Sequence, residues 1–243
     1  MKQRNFSFLA IGLLMVLAAS GVFATAQVEF ILDGTIVATC TDETGCDGAT
    51  GVPGEVVATF VNGSVGVTVN TGSTKPVITN PVMDLGDQTT SLAAGHTLVI
   101  AFTETGFLAS GGFTIDYQGN FTCSACSTSA TAYYDTTNAA FGVTAGSPAG
   151  VGTNPLTGTQ IATTGKISTT PFSSTITGLG SSVTPYSLTE VMTFSNTART
   201  GTAFLSSDFK LSQTPEPTSV LLLGSLVGIV AFAFRKKFSG NVA

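Results

Sequence analysis

Short runs of β-branched and aromatic residues, parted at nearly even spacing by Gly, Pro, Ser and Asn, fill the chain from Val28 to Leu211, and no stretch of 27–214 repeats its apolar character every 3.6 residues. Such a chain has to be built from strands. Composition agrees: threonine makes up about a fifth of 27–217, and β-branched side chains lose least when the backbone is pleated. A disordered Ser/Thr-rich stalk would share that bias but would lack regularly placed Val, Ile, Phe and Tyr. Roughly 190 residues suffice for one domain with a real core. No internal repeat suggests a propeller or solenoid. The expectation is therefore all-β, a single jelly-roll-like β-sandwich over 27–214.

Particular runs carry more detail. Asp33-Gly34 breaks Val28–Thr39 into one strand or a tight pair. Asn62-Gly63, between Glu55–Val61 and Val65–Val69, is a strong hairpin signal that asks for φ above zero at both positions. Lys75–Leu85, interrupted by Pro76 and Pro81, is expected at a sheet edge, whereas the apolar run Thr97–Thr103 is expected to be buried on both sides. Gly111–Thr122 sets Phe113, Ile115 and Tyr117 on one face, with Gln118-Gly119-Asn120 as a turn or bulge. Thr128–Asp135, Ala139–Val143, Thr159–Thr164, Lys166–Ile176, Tyr186–Phe194 and Thr202–Leu211 read as further strands, and Gly142–Gly158 as the longest loop. The core should draw on Val57, Phe60, Val67, Val99, Phe102, Phe113, Ile115, Phe141, Ile176, Leu188, Val191, Phe194 and Phe204.

The two ends are of a different kind. Lys2 and Arg4 precede an apolar stretch, Phe6–Val22, and then Ala24-Thr25-Ala26, the small-x-small pattern that signal peptidase cuts. Residues 1–26 read as a signal peptide, with the mature chain beginning at Gln27. Residues 215–243 hold Pro215-Glu216-Pro217, an apolar helix over about 219–234, and Arg235-Lys236-Lys237. The prolines keep the first part extended, and the basic cluster holds the C-terminus in the cytoplasm. The run Val220–Phe234 covers roughly 22 Å as a helix against about 30 Å of hydrocarbon, a marginal span suited to a temporary anchor. In this order the three parts resemble the PEP-CTERM sorting signal of Gram-negative bacteria, with small residues Gly224, Ser225 and Gly228 in the helix. The six residues after Lys237 exceed the usual length of such tails. The resemblance implies recognition by an exosortase-type membrane protease and delivery to the cell surface or the extracellular polysaccharide matrix of a biofilm. The other reading is an uncleaved single-pass membrane anchor.

Export bears on the cysteines. Cys40, Cys46, Cys123 and Cys126 are expected to be oxidised, and nearness in sequence favours Cys40–Cys46 and Cys123–Cys126. A redox role for Cys123-Ser124-Ala125-Cys126 lacks the helix N-terminus that would activate a thiol, and the spacing of the four is a poor zinc pattern. Asp42, Glu43 and Asp47, in the loop that Cys40–Cys46 closes, are candidates for a calcium site, although a solvated acidic loop is the simpler reading. Segment 27–217 carries fourteen acidic residues against four basic ones, a net charge of −10. Nucleic acid, which demands clustered Lys and Arg, is not an expected partner.

Catalytic chemistry is hard to place. His96 is the one imidazole, and no serine lies in a triad motif. Glu104, Asp116 or Glu190 could supply a glycosidase pair, but nothing in their spacing selects them, and there is no Trp to line a cleft. No cofactor is expected. For a ligand-facing surface, Tyr133 and Tyr134 are the candidates beside Tyr117 and Tyr186, because adjacent strand residues face opposite ways. The sequence thus reads as a non-enzymatic exported protein, with carbohydrate binding or glycan hydrolysis as the alternative, and with signal peptidase, the exosortase-type protease, the inner membrane in transit and exopolysaccharide as partners. Intact mass of protein recovered from the matrix should correspond to a chain running from near Gln27 to near Pro217. Recovery at full C-terminal length from membranes alone would leave only the permanent anchor.

Overall fold

Asp33 and Gly34 both adopt positive φ (49° and 85°), the turn that returns β1 (Gln27–Leu32) onto β2 (Thr35–Thr41). The same logic of short runs and tight reversals continues through β3 (Glu55–Asn62), β4 (Val65–Ser73), β5 (Val82–Ala93), β6 (His96–Phe107), β7 (Gly112–Phe121), β8 (Cys126–Asp135), β9 (Thr159–Thr163), β10 (Phe172–Leu179), β11 (Tyr186–Asn196) and β12 (Thr202–Gln213). The structure is a computed structural model that describes residues 26–75, 78, 82–108, 111–142, 158–181 and 183–214. The leader with Ala24, Pro215-Glu216-Pro217, the expected membrane helix, Arg235-Lys236-Lys237 and most of the expected long loop lie outside the described residues. Among those described, no helix is long and apolar enough to cross a membrane.

All strands pair antiparallel in two six-stranded sheets, sheet A in the order β2-β1-β6-β11-β8-β9 and sheet B in the order β10-β7-β12-β5-β4-β3. Within them β6-β11-β8-β9 faces β5-β12-β7-β10, the strand order of a jelly roll, and the first four strands widen both sheets on the same side. The inner faces share one apolar core. Phe102, Leu188 and Phe194 come from sheet A, and Val67, Leu85, Phe113, Ile115 and Leu211 from sheet B. Aromatic rings bridge the layers, as where Phe121 meets Phe194 at 6.4 Å between centroids. Polar ties cross too: the hydroxyls of Tyr117 and Thr128 hydrogen-bond, and Asn196 donates from Nδ2 to the carbonyl of Leu92 (3.0 Å). Both local disulfides are present, with Cα–Cα separations of 5.7 Å for Cys40–Cys46 and 5.5 Å for Cys123–Cys126.

Several expectations need correcting. The β3–β4 hairpin exists, but Asn62 pairs with Val65 and the turn is Gly63-Ser64, with positive φ at neither Asn62 nor Gly63. Burial of Val56, Ala58, Val65 and Val67 sets that register, and the turn adapts to it. β5 lies between β4 and β12 rather than at an edge, because Pro81 precedes its first paired residue and removes no ladder donor. Gln118-Gly119-Asn120 is continuous strand, and Gly119 is required by close approach: a Cβ there would lie 2.3 Å from the carbonyl oxygen of Ser206. The described part of the expected strand Ala139–Val143, residues 139–142, is not a strand but contains a 3₁₀ turn, Ala140–Gly142. Lys166–Ile176 gives one isolated bridge at Ile167 before β10 begins at Phe172. Of the expected core, Val57 is half-exposed, Val99, Phe141 and Val191 pack on the outside of sheet A, and Phe204 faces solvent.

Because Phe113 and Phe194 are fully buried from opposite layers, truncating either to alanine should cost about 3–5 kcal/mol by urea denaturation. Thr177→Ala, on the exposed face of β10, should stay within about 0.5 kcal/mol.

Candidate functional site

The outer faces of the two sheets differ in what covers them. Beyond β8 the chain folds back over sheet A, where Phe141 packs on Ala101, Tyr133 and Val191. Three hydrogen bonds hold it there: Phe141 N donates to Thr103 Oγ1 (3.1 Å), Gly106 N to Asn138 Oδ1 (2.6 Å), and Ser187 Oγ to the carbonyl of Ala139 (2.6 Å). Phe141 takes φ 56° to make that seat. This stretch leaves Thr103, Thr189 and Ser187 buried on what would otherwise be a wet surface. Among the described residues, nothing of the kind covers the middle strands of sheet B on its outer face, where Ser206, Lys210, Gln118, Asn120, Ser173 and Thr175 are all exposed.

Strand register arranges that face in transverse rows. Val61, Gly66, Ser91 and Phe204 stand side by side on β3, β4, β5 and β12. Val61 is 76 % exposed and Phe204 52 %. Between them Gly66 contributes no side chain, and a Cβ there would lie 2.8 Å from Ser91 Oγ. The result is an open cleft of about 220 Å³ with Gly66 and Ser91 on its floor, bounded by Val61, the turn Asn62-Gly63-Ser64, Ala93 and Thr202. Phe204 stands two residues along β12 from Thr202, on the same face. The next row offers Thr59, Thr68, Ser206 and Asn120, and those beyond hold Asp208 beside Gln118 and Lys210 between Asp84 and Asp116. Thr175 donates to Asp116 Oδ1 (2.7 Å), and Gln118 Nε2 approaches Asp208 Oδ2 at 3.4 Å. An exposed ring flanked by hydroxyls, amides and carboxylates on a rigid sheet can stack on one face of a flat polar ligand and hydrogen-bond its edges.

The residues singled out in the sequence fall elsewhere. Tyr133 lies on the outer face of sheet A, half-buried against Phe141, and desolvation raises its hydroxyl while Thr131 opposes the rise. Tyr134 packs against the core and meets the Tyr186 ring edge-on at 6.4 Å. Neither is an open platform. Asp42, Glu43 and Asp47 turn carboxyl oxygens to main-chain amides: Asp42 accepts through Oδ2 from Gly54 (2.7 Å), Glu43 from Gly51 (3.0 Å), and Asp47 from Glu43, Ala49 and Val57. They organise the stapled loop, and no three His, Cys, Asp or Glu among the described residues are grouped to hold a metal ion. His96 Nδ1 meets Asp33 Oδ2 at 2.5 Å. Desolvation pushes the Asp33 carboxyl up, but the Thr97 amide and the His96 ring outweigh it and hold it below its usual range.

Phe204 escaped the sequence reading, which placed it in the core. The signal was parity: Ala203, Leu205, Phe209 and Leu211 are all buried, so an even-numbered aromatic on β12 has to face out. Glu104 and Glu190 point into the core from β6 and β11, whereas Asp116 lies on the far side of sheet B. Desolvation raises the Glu104 carboxyl to about 7 against the pull of Thr74 and Lys75. Burial, reinforced by the charges of Asp84 and Asp208, holds Glu190 well above its ordinary range despite the Leu211 amide.

Both glutamates bind their protons more tightly folded than unfolded, so their contribution to stability is complete below about pH 4.5 and is lost as pH rises. In the chain with Ala26 still joined to Gln27, the urea midpoint should fall as pH climbs from about 4.5 through about 7, and Glu104→Gln should flatten that part of the profile. A profile equally steep in the variant would contradict this assignment.

No protein-family model matches the chain, and no curated protein matches it. Solved structures do resemble it. A carbohydrate-binding module in complex with β-1,4-galactotriose is 10 % identical, covering 66 % of this chain and 88 % of that one at a TM-score of 0.33. The adhesin domain of Epf from Streptococcus pyogenes is 7 % identical, covering 78 % and 60 % at 0.41. The PA14 sugar-binding domain of an RTX adhesin is 9 % identical, covering 79 % and 91 % at 0.29.

Proposed function

We propose that the protein is a non-enzymatic, exported glycan-binding sandwich that holds polysaccharide on the outer face of sheet B. The observation that carries this is the cleft beside Phe204, an aromatic ring left in water at the edge of a grid of Thr, Ser, Asn, Gln and Asp side chains. Sugar rings have apolar faces and hydroxyl rims, and this surface offers a counterpart to each. With Asp84, Asp116 and Asp208 around one Lys210, it favours neutral or amino sugars over uronates, whose carboxylates it would repel.

The address is read from the ends of the chain and supported by the two disulfides, which fit an oxidising compartment. In this reading signal peptidase removes 1–26, an exosortase-type protease acts at Pro215-Glu216-Pro217, and the sandwich passes from the inner membrane to the cell surface or polysaccharide matrix. The net charge of −10 over 27–217 argues against nucleic acid as a partner.

Titration of the exported protein with the exopolysaccharide of its host, run beside a turnover assay, tests the reading. Phe204→Ala should weaken binding roughly tenfold, the worth of one stacked ring at about 1.4 kcal/mol, with no reducing ends released by either protein. Unchanged affinity in Phe204→Ala would move the ligand off this face, and released reducing ends would make the protein a hydrolase.

A further inference from the structure

Register places Ala26 opposite Asp42 on one side and Glu104 on the other, since Gln27 pairs with both Thr41 and Thr103 and Asp42 N donates to the Ala26 carbonyl (2.9 Å). All three side chains point inward, with exposures of 0 % for Ala26, 7 % for Asp42 and 1 % for Glu104. A methyl group therefore separates two buried carboxyls in one transverse row. Their cationic neighbour is already committed: Lys75 Nζ donates to the Thr105 carbonyl (2.7 Å), lies 4.1 Å over the Phe107 ring, and stands 3.6 Å from Glu104 Oε1. Thr74 donates to Glu104 Oε2, and Gly54 to Asp42 Oδ2. Asp42 Oδ1, fully buried, accepts no hydrogen bond. A buried acceptor and a carboxyl pair balanced by one lysine are costly unless another donor cation joins them.

We propose that Asp42 and Glu104 form the seat for the α-ammonium of Gln27, created when the leader is cut away after Ala26. The inference rests on the leader-removal reading. Hydrolysis of the Ala26–Gln27 amide by water leaves the carboxylate on Ala26, which departs with the leader, and the amine on Gln27, which takes up a proton. The row loses the strand bond from Asp42 N to Ala26 O and gains a cation with three donors between two acceptors, one of them Asp42 Oδ1. Maturation thus supplies the charge that the uncut chain lacks, and the strand that opens sheet A is locked by its own new terminus. The other carboxyl groups acting on Asp42 in this loop are those of Glu43 and Asp47, both turned to loop amides.

The exported protein tests this in two separable steps. Intact and N-terminal peptide masses report the cut: a free Gln27 is expected, a terminus elsewhere overturns the proposal along with the assigned cleavage, and a cyclised Gln27 upholds the cleavage but overturns the seat, because its α-nitrogen is then an amide without charge. Acylation of the α-amine as a function of pH then reports the seat. Pairing with two carboxyls should move the labelling midpoint above the ordinary α-amine value of about 8, making labelling near neutral pH about tenfold slower than in denaturant, whereas burial alone would move the midpoint down. Asp42→Asn should return the midpoint toward its denatured value, and Glu43→Gln should leave it in place. If Asp42→Asn does not fold, the wild-type midpoint still decides: at or below the denatured value, the seat is empty.

Discussion

Two six-stranded sheets share one apolar layer, and the side-chain period of two along each strand decides which residues can enter it. A slip of one residue in β12 would bury Phe204 and expose Leu205, Phe209 and Leu211 together, so the core holds the outer face in place as firmly as the inner one. The candidate site is a consequence of that register. Val61, Gly66, Ser91 and Phe204 lie in one row because four strands are held in phase by valines, leucines and phenylalanines on their other side.

The same period leaves each sheet an outer face, and the chain treats the two faces differently. Over sheet A the segment beyond β8 brings down Phe141, which shields Ala101 and Val191 and buries Thr103 and Thr189 in a hydroxyl pair at 2.9 Å. Over the middle of sheet B nothing comparable is present among the described residues. Antiparallel sheets tolerate water on one side, so no stability is lost there, and the exposed ring of Phe204 can serve a ligand instead of the core.

The buried carboxyls run against this economy. Glu104 and Glu190 occupy core-facing positions on the central strands of sheet A, where an apolar residue would pack at lower cost. Glu104 is held by Thr74, Lys75 and their surroundings at the junction where β1, β2, β6 and the end of β4 meet. Polar groups at such a junction tie the N-terminal hairpin to the opposite sheet and favour one arrangement of strands over neighbouring ones. Glu190 sits beneath the bulged part of β5 and β12, close enough to Asp84 and Asp208 for their charges to act on it.

Local chemistry made part of this legible from the residues alone. Asp33-Gly34 turned the chain where expected, alternation in β7 assigned Phe113, Ile115 and Tyr117 to one face, and short separations led to both disulfides. The all-β class followed from β-branched runs that carry no helical period. What nearness in sequence cannot supply is the identity of a strand's neighbours. The central position of β5, the continuity of β7 through Gly119, the seating of Phe141 outside the sandwich and the exposure of Phe204 each depend on pairings across tens of residues. The sequence by itself determined most of the strands, the Asp33-Gly34 turn and both staples, because propensity and short-range closure are written residue by residue. Only the tertiary structure decided which face carries the site, because that choice rests on sheet order and on which segment of chain returns to cover which sheet.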